Sequence, residues 1–406
     1  MPKVFLLMLD GVGSDTFREY RSRLPFLSRL AAGGFSVERL RSLVPGISLP
    51  GRTSILTGRS AAEAGVYGNN VWHDTRFSYA DPDDVRVPTL PQLALAEGLD
   101  VACIGFGMVR PEDATVFKRP WWADNFVQRA RDDVGEPAQR AWRRAADHVD
   151  PTGRLIAAAS AAGYPTDYPE RFPDRRVYAF TGDMHVANWV GLLAAADPAP
   201  DFVLTEFLVT DSVQHSHGFD TEASLWALGY LDALVGVTLS RLGQRAGEYN
   251  FVVLSDHGHW HVRKALRPDA ILPGMTADCQ GAMLHVKVDS PADEARATAA
   301  LAEYGVVPYD ASYLPEDHRA FLRSYLAPDG YSFEAGPSEE PVTDPKNISS
   351  HGLRPGHPAD DRFMFMSGPD VPAGSVAVAD ADQVAPTVAE LLGMGTEPFP
   401  GRSLLR

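Results

Sequence analysis

The sequence predicts an α/β fold in which a mostly parallel central sheet carries helices on both of its faces. Four continuous apolar runs, at 4–9, 101–106, 202–209 and 251–254, have the form of strands buried on both faces. Apolar residues at helical spacing, from Leu225 to Leu242, lie between the last two runs. Because strands alternate with helices, the sheet is expected to be parallel, with its ligand site beyond the carboxyl ends of the strands.

The length of 406 residues allows one large domain with insertions. We predict that residues 1–261 and 346–406 form the catalytic α/β domain. Two stretches fit the alternation poorly. Residues from about 107 to 180 are rich in Arg, Asp, Pro and aromatic residues, which indicates a helical insertion. Residues 262–345 contain a strand-like run at 282–288 and an Ala-rich helix near 295–304, which predicts a small α+β cap.

Charge and composition exclude several classes of protein. The formal net charge of −16 argues against binding a nucleic-acid polymer. With only Cys103 and Cys279, a disulfide framework or a Cys-rich zinc module is not expected. The first apolar run is too short for a signal peptide, and no apolar run looks long enough to span a membrane, so we expect a cytoplasmic protein without a membrane partner. Frequent Ala, Arg, Gly and Pro indicate a bacterial source, and a homo-oligomer is left open.

Potential metal ligands follow three of the four predicted strands. Asp10 ends the first run, Asp211 follows the third, and Asp256 with His257 follows the fourth. His215 lies four residues after Asp211, which places carboxylate and imidazole on one helical face. Each motif alone is weak, since an Asp-Gly pair after a strand is usually a turn. Together, and with a further His-Gly pair at 351–352, they predict a site for two zinc-like ions, with manganese as an alternative.

Ser48 lies in the Pro/Gly-rich turn at 45–51, before a predicted helix that begins near Arg52. A hydroxyl at a helix N-terminus is often only a cap. The same position favours an anionic phosphoryl group and an alkoxide. On the residues alone, the capping interpretation is the stronger one.

Taken in order, these motifs resemble the alkaline-phosphatase superfamily, and within it the type I phosphodiesterase / nucleotide pyrophosphatase family with its phosphonoacetate hydrolase-like relatives. The resemblance covers nearly the whole chain and implies an alkaline-phosphatase-like fold. It implies that Ser48 is the nucleophile and that Asn69 donates to the phosphoryl oxygen, with Asn70 as its rival. The implied ligands of one metal ion are Asp211, His215 and His351, and those of the other are Asp10, Ser48, Asp256 and His257.

The resemblance implies a hydrolase of phosphate diesters or phosphoanhydrides that acts on a small phosphorylated substrate through a covalent phospho-Ser48 intermediate. Two divalent ions, Zn²⁺ in most of the family, would assist. Leu49 replaces an aromatic residue that often stacks on a nucleobase, so specificity is expected to differ. Arg52 and Tyr67 are candidate substrate contacts, as are the adjacent residues Trp121 and Trp122. An exposed helical arginine and packed aromatics are the structural alternatives.

Other functions remain open at this point. A phosphomonoesterase or phosphonate hydrolase of the same superfamily would share the two-metal plan. The pattern Ser48-x-Pro50-x-Arg52 also fits a sulfatase in which the serine is oxidised to formylglycine. A non-catalytic metal-binding relative is the remaining alternative. The sequence does not assign roles to His217, His259 and His357.

Overall fold

The computed structural model describes residues 2–123, 148–168 and 175–405. The strands are β1 (Lys3–Leu9), β2 (Phe35–Arg41), β3 (Asn70–His73), β4 (Arg76–Tyr79), β5 (Val101–Ile104), β6 (Val116–Lys118), β7 (His148–Val149), β8 (Phe202–Phe207), β9 (Tyr249–Leu254), β10 (Trp260–His261), β11 (Lys264–Leu266), β12 (Ala277–Gln280), β13 (Met283–Lys287), β14 (Val307–Pro308), β15 (Leu322–Leu326), β16 (Tyr331–Phe333), β17 (Val342–Thr343), β18 (Ser349–Ser350), β19 (Arg362–Ser367) and β20 (Gly374–Asp380).

The described α-helices are α1 (Ser14–Tyr20), α2 (Pro25–Leu30), α3 (Ser48–Thr57), α4 (Ala61–Ala64), α5 (Leu90–Ala96), α6 (Arg154–Ala161), α7 (Arg175–Ala194), α8 (Val209–His217), α9 (Glu222–Leu242), α10 (Pro268–Ile271), α11 (Pro291–Ala302) and α12 (Val384–Leu391).

The central sheet has nine strands in the order β20-β2-β19-β9-β1-β8-β5-β6-β7. From β9 to β6 the neighbouring strands are parallel, whereas β19 and β7 run antiparallel to their neighbours. Every residue of β5, β8 and β9 is buried, which requires cover on both faces of the sheet. The predicted α/β class with a mostly parallel sheet is therefore confirmed.

The predicted helical insertion at about 107–180 is only partly helical. Its described residues include β6 and β7, which add two short strands to one edge of the central sheet. The helical prediction is wrong for these strands, because runs of two or three residues are too short to show a strand period. Helix α6 and the start of α7 fit the prediction. Residues 124–147 and 169–174 lie outside the described residues.

The predicted cap at 262–345 contains two small sheets. One is antiparallel with the order β12-β13-β15-β14, and the other has the order β16-β11-β17. Helix α11 packs its buried residues Ala297 and Leu301 into a second apolar core, separate from that of the central sheet. This segment therefore buries its own apolar surface, as an α+β unit must. Its exact extent as a domain stays a prediction.

His285 lies in the core of the cap, and its burial leads us to predict that the fold loses stability at acidic pH. Burial lowers its pKa from 6.5 to about 3, and its Nε2 has no hydrogen-bond partner among the described residues. Because the unfolded chain binds a proton below pH 6.5 and the folded chain does not, stability falls as pH falls from 6.5 towards 3. At pH 5 the buried, neutral His285 is expected to lower the free energy of unfolding by about 2 kcal/mol.

Urea unfolding at pH 7.5 and pH 5, with chelator present, measures this loss. The variant His285→Asn does not titrate and retains a group that can bond to Ser324, the partner of Nδ1. This variant is expected to lose less stability between pH 7.5 and pH 5 than the wild type does. The control variant His261→Asn, at an exposed histidine, is expected to lose as much as the wild type. Equal losses in the wild type and His285→Asn would contradict the prediction.

Within the described ranges, one helical stretch is long and apolar enough to cross a membrane, judged by length and composition alone. It covers Glu222–Glu248, and half of its apolar window is buried inside the protein. The expectation that no apolar run has sufficient length is therefore too strict. Core helices of globular proteins share the same length and composition, so this finding is weak support for a membrane span.

Candidate active site

The carboxyl ends of adjacent strands bring the predicted site residues together. Asp10 directly follows β1, while Asp256 and His257 follow the neighbouring strand β9 by two and three residues. Asp211 lies in the first turn of α8, which begins just after β8 on the other side of β1. Because these parallel strands end at one edge of the sheet, their side chains meet there.

Ser48 is the first residue of α3 and is not its N-cap. The N-cap is Ile47, and no side chain caps the helix. The Ser48 hydroxyl instead lies 3.0 Å from Nε2 of His257. The Nδ1 of His257 lies 3.2 Å from the carbonyl oxygen of Gly258, so the favoured tautomer donates from Nδ1 and leaves a lone pair on Nε2. The capping interpretation of Ser48 is therefore wrong, and its hydroxyl faces a basic nitrogen.

Asp10, Asp256 and His257 form one group of potential metal ligands, with ligand atoms within 4.8 Å of one another. All three are buried. The Oδ1 of Asp10 lies 3.3 Å from Nε2 of His257 and has no hydrogen-bond partner among the described residues. A buried carboxylate oxygen without a partner is costly unless a cation or proton binds it, so the arrangement fits a divalent ion.

Arg52 lies in the same group of charges and is not an exposed helical arginine. Its side chain is 1% exposed, and its guanidinium bonds to Asp10, Asp256 and Glu206. The alternative of a solvent-exposed arginine is therefore wrong, because α3 packs this face into the protein. Arg52 also lines the pocket described below, and its role as a substrate contact stays a prediction.

Asp211, His215 and His351 form a second group of potential metal ligands. Nε2 of His215 lies 3.3 Å from Oδ1 of Asp211, one turn away on α8. Nδ1 of His215 lies 3.1 Å from the carbonyl oxygen of Ser349, to which it can donate, and this favours the tautomer with a lone pair on Nε2, the nitrogen that contacts Asp211. The ring centroids of His215 and His351 are 5.0 Å apart. The structure thus assembles the second predicted ligand set as well.

The pKa values reflect this crowding of charge. Burial and the nearby Asp256 raise the pKa of Asp10 well above its ordinary value, although Arg52 opposes them. Burial raises the pKa of Asp256 to about 6, again against Arg52. Burial lowers the pKa of His351 to about 3, so its imidazole is neutral and able to bind a metal at neutral pH. A cation at these carboxylates would offset their mutual repulsion.

A cavity of about 380 Å³ is lined by Asp10 of the first ligand group and by all three residues of the second. It is lined by Asp10, Ser48, Leu49, Arg52, Asn69, Tyr79, Trp122, Leu208, Asp211, Ser212, His215, Ser216, Asn347 and His351. The predicted nucleophile, the predicted amide donor and ligands from both sets therefore face one space. Trp122 and Tyr79 form part of its wall, with ring centroids 6.2 Å apart.

Several predicted residues lie away from this cavity. Tyr67 is fully buried, and its hydroxyl accepts a hydrogen bond from the backbone N–H of Trp72, so it packs in the core rather than contacting substrate. Trp121 is likewise a core residue, bonded to Asp183. His217 is exposed at the end of α8. These placements correct the prediction that Tyr67 and Trp121 contact the substrate, because both side chains pack in the core.

Asn70 and His357 lie outside the cavity lining too. The amide of Asn70 donates to Asp278 of the cap at 2.7 Å. The structure thus gives Asn69, which lines the cavity, the position expected of the phosphoryl donor. His357 accepts a hydrogen bond from the backbone N–H of Ala359 and belongs to neither of these ligand groups. His351 belongs to the second group.

Sequence reasoning left His259 without a role, and the structure places it on Asp211. Its Nε2 lies 2.8 Å from Oδ1 of Asp211, and its Nδ1 lies 2.9 Å from the hydroxyl of Ser349. His259 thus contacts a predicted metal ligand, and together with Asp211 and His257 it forms a third group of potential metal ligands. Its position two residues after His257 was the only sequence signal.

The cap holds the predicted phosphoryl donor in place. The backbone N–H of Asn69 donates to Oε1 of Gln280 at 2.8 Å, and Oδ1 of Asn69 accepts from the backbone N–H of Leu49 at 2.9 Å. The amide nitrogen of Asn69 is therefore left for the cavity. The turn after Gln280 also binds the His351 carbonyl, which accepts from the N–H of Ala282 at 2.9 Å. The cap thus contacts both the amide donor and a ligand residue.

We expect Gln280→Ala to lower kcat about tenfold and to change KM little, because a misplaced Asn69 loses an interaction that strengthens in the transition state. Steady-state kinetics on a phosphodiester would measure this split. Exposed Gln244→Ala is the matched control. An unchanged kcat, or an effect on KM alone, would contradict a positioning role for Gln280.

Comparisons with known proteins agree with this arrangement. The sequence profile described as "Type I phosphodiesterase / nucleotide pyrophosphatase" matches residues 4–339. No curated protein sequence matches the chain significantly.

Solved structures of ectonucleotide pyrophosphatase / phosphodiesterase 5 (ENPP5, NPP5) are similar in fold. The murine protein superposes with a TM-score of 0.70 at 14% identity, covering 97% of this chain and 96% of that chain. An inactive variant of it in complex with AMP has a TM-score of 0.70 at 15% identity, covering 98% and 96%. The human protein gives 0.68 at 14% identity, covering 98% and 100%. Since the profile spans most of its length, the chain belongs to the type I phosphodiesterase / nucleotide pyrophosphatase family of phosphoric ester hydrolases.

Proposed function

We propose that this protein hydrolyses phosphate diesters or phosphoanhydrides of small molecules with two divalent ions and Ser48 as nucleophile. The observation that carries the proposal is the meeting of Ser48 Oγ, His257 Nε2 and Asp10 Oδ1, the last of which has no hydrogen-bond partner in the part of the chain that the structure describes. The first two atoms are 3.0 Å apart, and the last two are 3.3 Å apart. A hydroxyl beside neutral imidazole and carboxylate donors has the surroundings that a metal-activated nucleophile requires.

Two ligand sets would hold the ions. Asp10, Asp256, His257 and Ser48 would bind one, and the set of Asp211, His215 and His351 would bind the other. Carboxylate and imidazole donors suit Zn²⁺, and Mn²⁺ would accept the same ligands. Bound ions would supply Lewis acidity, lowering the pKa of the hydroxyl and offsetting charge on the phosphoryl oxygens.

In the first step, Ser48 Oγ forms a bond to phosphorus while the bond to the leaving oxygen breaks and Ser48 loses its proton. The products are a free alcohol or phosphate, which takes up that proton, and a phosphoryl ester of Ser48 that still carries the second substituent of the substrate. Water then attacks the same phosphorus, the phosphorus–Oγ bond breaks, and Ser48 regains a proton. Asn69, held by Gln280 and Leu49, donates its amide to the charged oxygens in both steps.

The substrate is proposed to be a small phosphorylated molecule. The complex of a murine ENPP5 variant with AMP favours a nucleotide. Leu49 offers no aromatic face for a base, but Trp122 and Tyr79 line the same cavity. A cytoplasmic location and action without nucleic-acid polymer or membrane remain part of the proposal, and a homo-oligomer is left open.

The test compares bis-p-nitrophenyl phosphate, p-nitrophenyl phosphate and p-nitrophenyl sulfate as substrates of zinc-loaded and chelator-treated protein. We expect metal-dependent cleavage that is fastest for the diester. Preference for the monoester would favour a phosphomonoesterase. Cleavage of the sulfate ester, with formylglycine at position 48 detected by mass spectrometry, would favour a sulfatase. Metal binding without any turnover would identify a non-catalytic relative.

A further inference from the structure

The guanidinium of Arg52 is a buried cation that bridges three carboxylates. Its Nη2 donates to Oδ2 of Asp10 at 2.5 Å, its Nη1 to Oδ2 of Asp256 at 3.1 Å, and its Nε to Oε2 of Glu206 at 2.8 Å. All four side chains are at most 1% exposed. Arg52 lies one turn after Ser48 on α3, so a single helix presents both the nucleophile and this cation.

The contacts of Arg52 determine which oxygen atoms face Ser48. Since the guanidinium binds Oδ2 of Asp10, the other oxygen, Oδ1, points at Nε2 of His257 and has no partner among the described residues. On Asp256, the atom that contacts Arg52 is also the one nearer that nitrogen, at 3.7 Å. Arg52 therefore fixes the rotation of the Asp10 carboxylate relative to the hydroxyl of Ser48. It holds that of Asp256 together with the backbone N–H groups of Gly11 and His257, which donate to Oδ1 of Asp256.

Glu206 in turn holds Arg52. One of its oxygens accepts from Nε of Arg52, and the other accepts from the indole N–H of Trp122 at 2.8 Å. The guanidinium carbon also lies 5.6 Å from the Trp122 ring. A planar guanidinium that is bound along three edges keeps one orientation. A lysine ammonium lacks these fixed N–H directions and would not hold three carboxylates in this way.

The four residues of this cluster have the formal charge that one divalent ion would balance, and the buried guanidinium of Arg362 adds a positive charge near Asp256. Asp10, Asp256 and Glu206 carry three formal negative charges, and Arg52 carries one positive charge, which leaves a formal charge of −2. Buried charges must be compensated, and removing one partner of such a group leaves the others unpaired. Removing either Arg52 or Glu206 alone would change this formal charge by one unit, whereas removing both leaves it unchanged.

We propose that Arg52 and Glu206 are a positioning pair for a divalent cation at Asp10, Asp256, His257 and Ser48, orienting the two aspartates that bind it. The inference rests on the two-metal function proposed above. It differs from a role of Arg52 in binding substrate, which would alter KM and leave the affinity for metal unchanged.

The experiment measures zinc affinity by chelator competition and calorimetry, and the visible spectrum of the cobalt-substituted protein. The double variant Arg52→Met/Glu206→Gln keeps the formal charge of −2 and removes the bridging guanidinium. We expect one of the two ions to bind about 10- to 100-fold more weakly, while the other is unaffected. The matched control is Arg59→Met/Glu63→Gln, which removes an exposed ion pair of the same type.

Arg52→Lys is the second variant, which keeps the buried positive charge and carries the test if the double variant does not fold. It is expected to weaken the same ion by about tenfold and to change the cobalt spectrum, because a single ammonium cannot bridge three carboxylates. Unchanged affinity for both ions, with a raised KM, would overturn the inference. If the wild-type protein binds two ions but cleaves no phosphodiester, the proposed function is contradicted. The zinc measurement then still tests the positioning role of Arg52.

Discussion

Ser48→Ala is expected to lower kcat for phosphodiester cleavage on the order of 10⁴-fold or more, as when other enzymes lose their nucleophile. The hydroxyl is the only atom of this side chain that faces Nε2 of His257, and alanine leaves nothing to form the covalent intermediate. Initial rates of p-nitrophenol release, and a mass-spectrometric search in quenched reactions for Ser48 carrying a p-nitrophenyl phosphoryl group, would measure the effect.

Two further variants make this test specific. Ser48→Thr restores a hydroxyl at the same position and is expected to recover most of the activity. Ser240→Ala removes an exposed serine on α9 and should behave like the wild type. Retention of near wild-type kcat by Ser48→Ala would rule out the covalent step and favour direct attack by water.

Asp211→Asn is expected to release one of the two ions and to lower kcat/KM on the order of 10²- to 10³-fold. Burial raises the pKa of Asp211, but His215 and His259 outweigh it, and the pKa lies well below its ordinary value. The carboxylate is therefore charged, and it contacts both histidines. An amide removes that charge and gives the ion a poorer ligand.

Zinc content after dialysis, measured beside hydrolysis rates, checks this prediction. Asp220→Asn, an exposed aspartate beyond the end of α8, is the matched control. We expect the Asp211→Asn protein to remain folded, since the two side chains have nearly the same shape. Retention of both ions with wild-type affinity would show that Asp211 is not a ligand.

The central strands were predictable because their apolar runs are continuous and end in polar residues. The runs at 4–9 and 251–254 fall within β1 and β9. Their side chains are buried on both faces, so burial alone dictates an apolar sequence. Strands such as β6 and β20 were harder to predict, since the first has three residues and the second is mostly exposed. Short or half-exposed strands carry little periodic signal.

The site was predictable where strand ends supply the residues. Asp10, Asp256 and His257 meet because parallel neighbours end at one edge. Glu206 and Gln280 could not be assigned in this way. Glu206 lies inside the apolar run of β8, and Gln280 reaches Asn69 across 211 positions of sequence. Such contacts depend on how separate elements pack, which a single sequence does not reveal.

The attachment of the cap to the site limits how this enzyme can change. The tip of β12 and the turn after it bond to Asn69 and to the backbone of His351. A β-carbon on Gly281 would lie 2.2 Å from the His351 carbonyl oxygen, so even this turn admits little variation. Exchanging the cap with that of a relative would therefore disturb catalysis before it altered specificity. New substrates are more readily acquired through substitution of the side chains of Leu49 and Tyr79, which line the same cavity. Trp122 is less free to vary, because its indole N–H donates to Glu206.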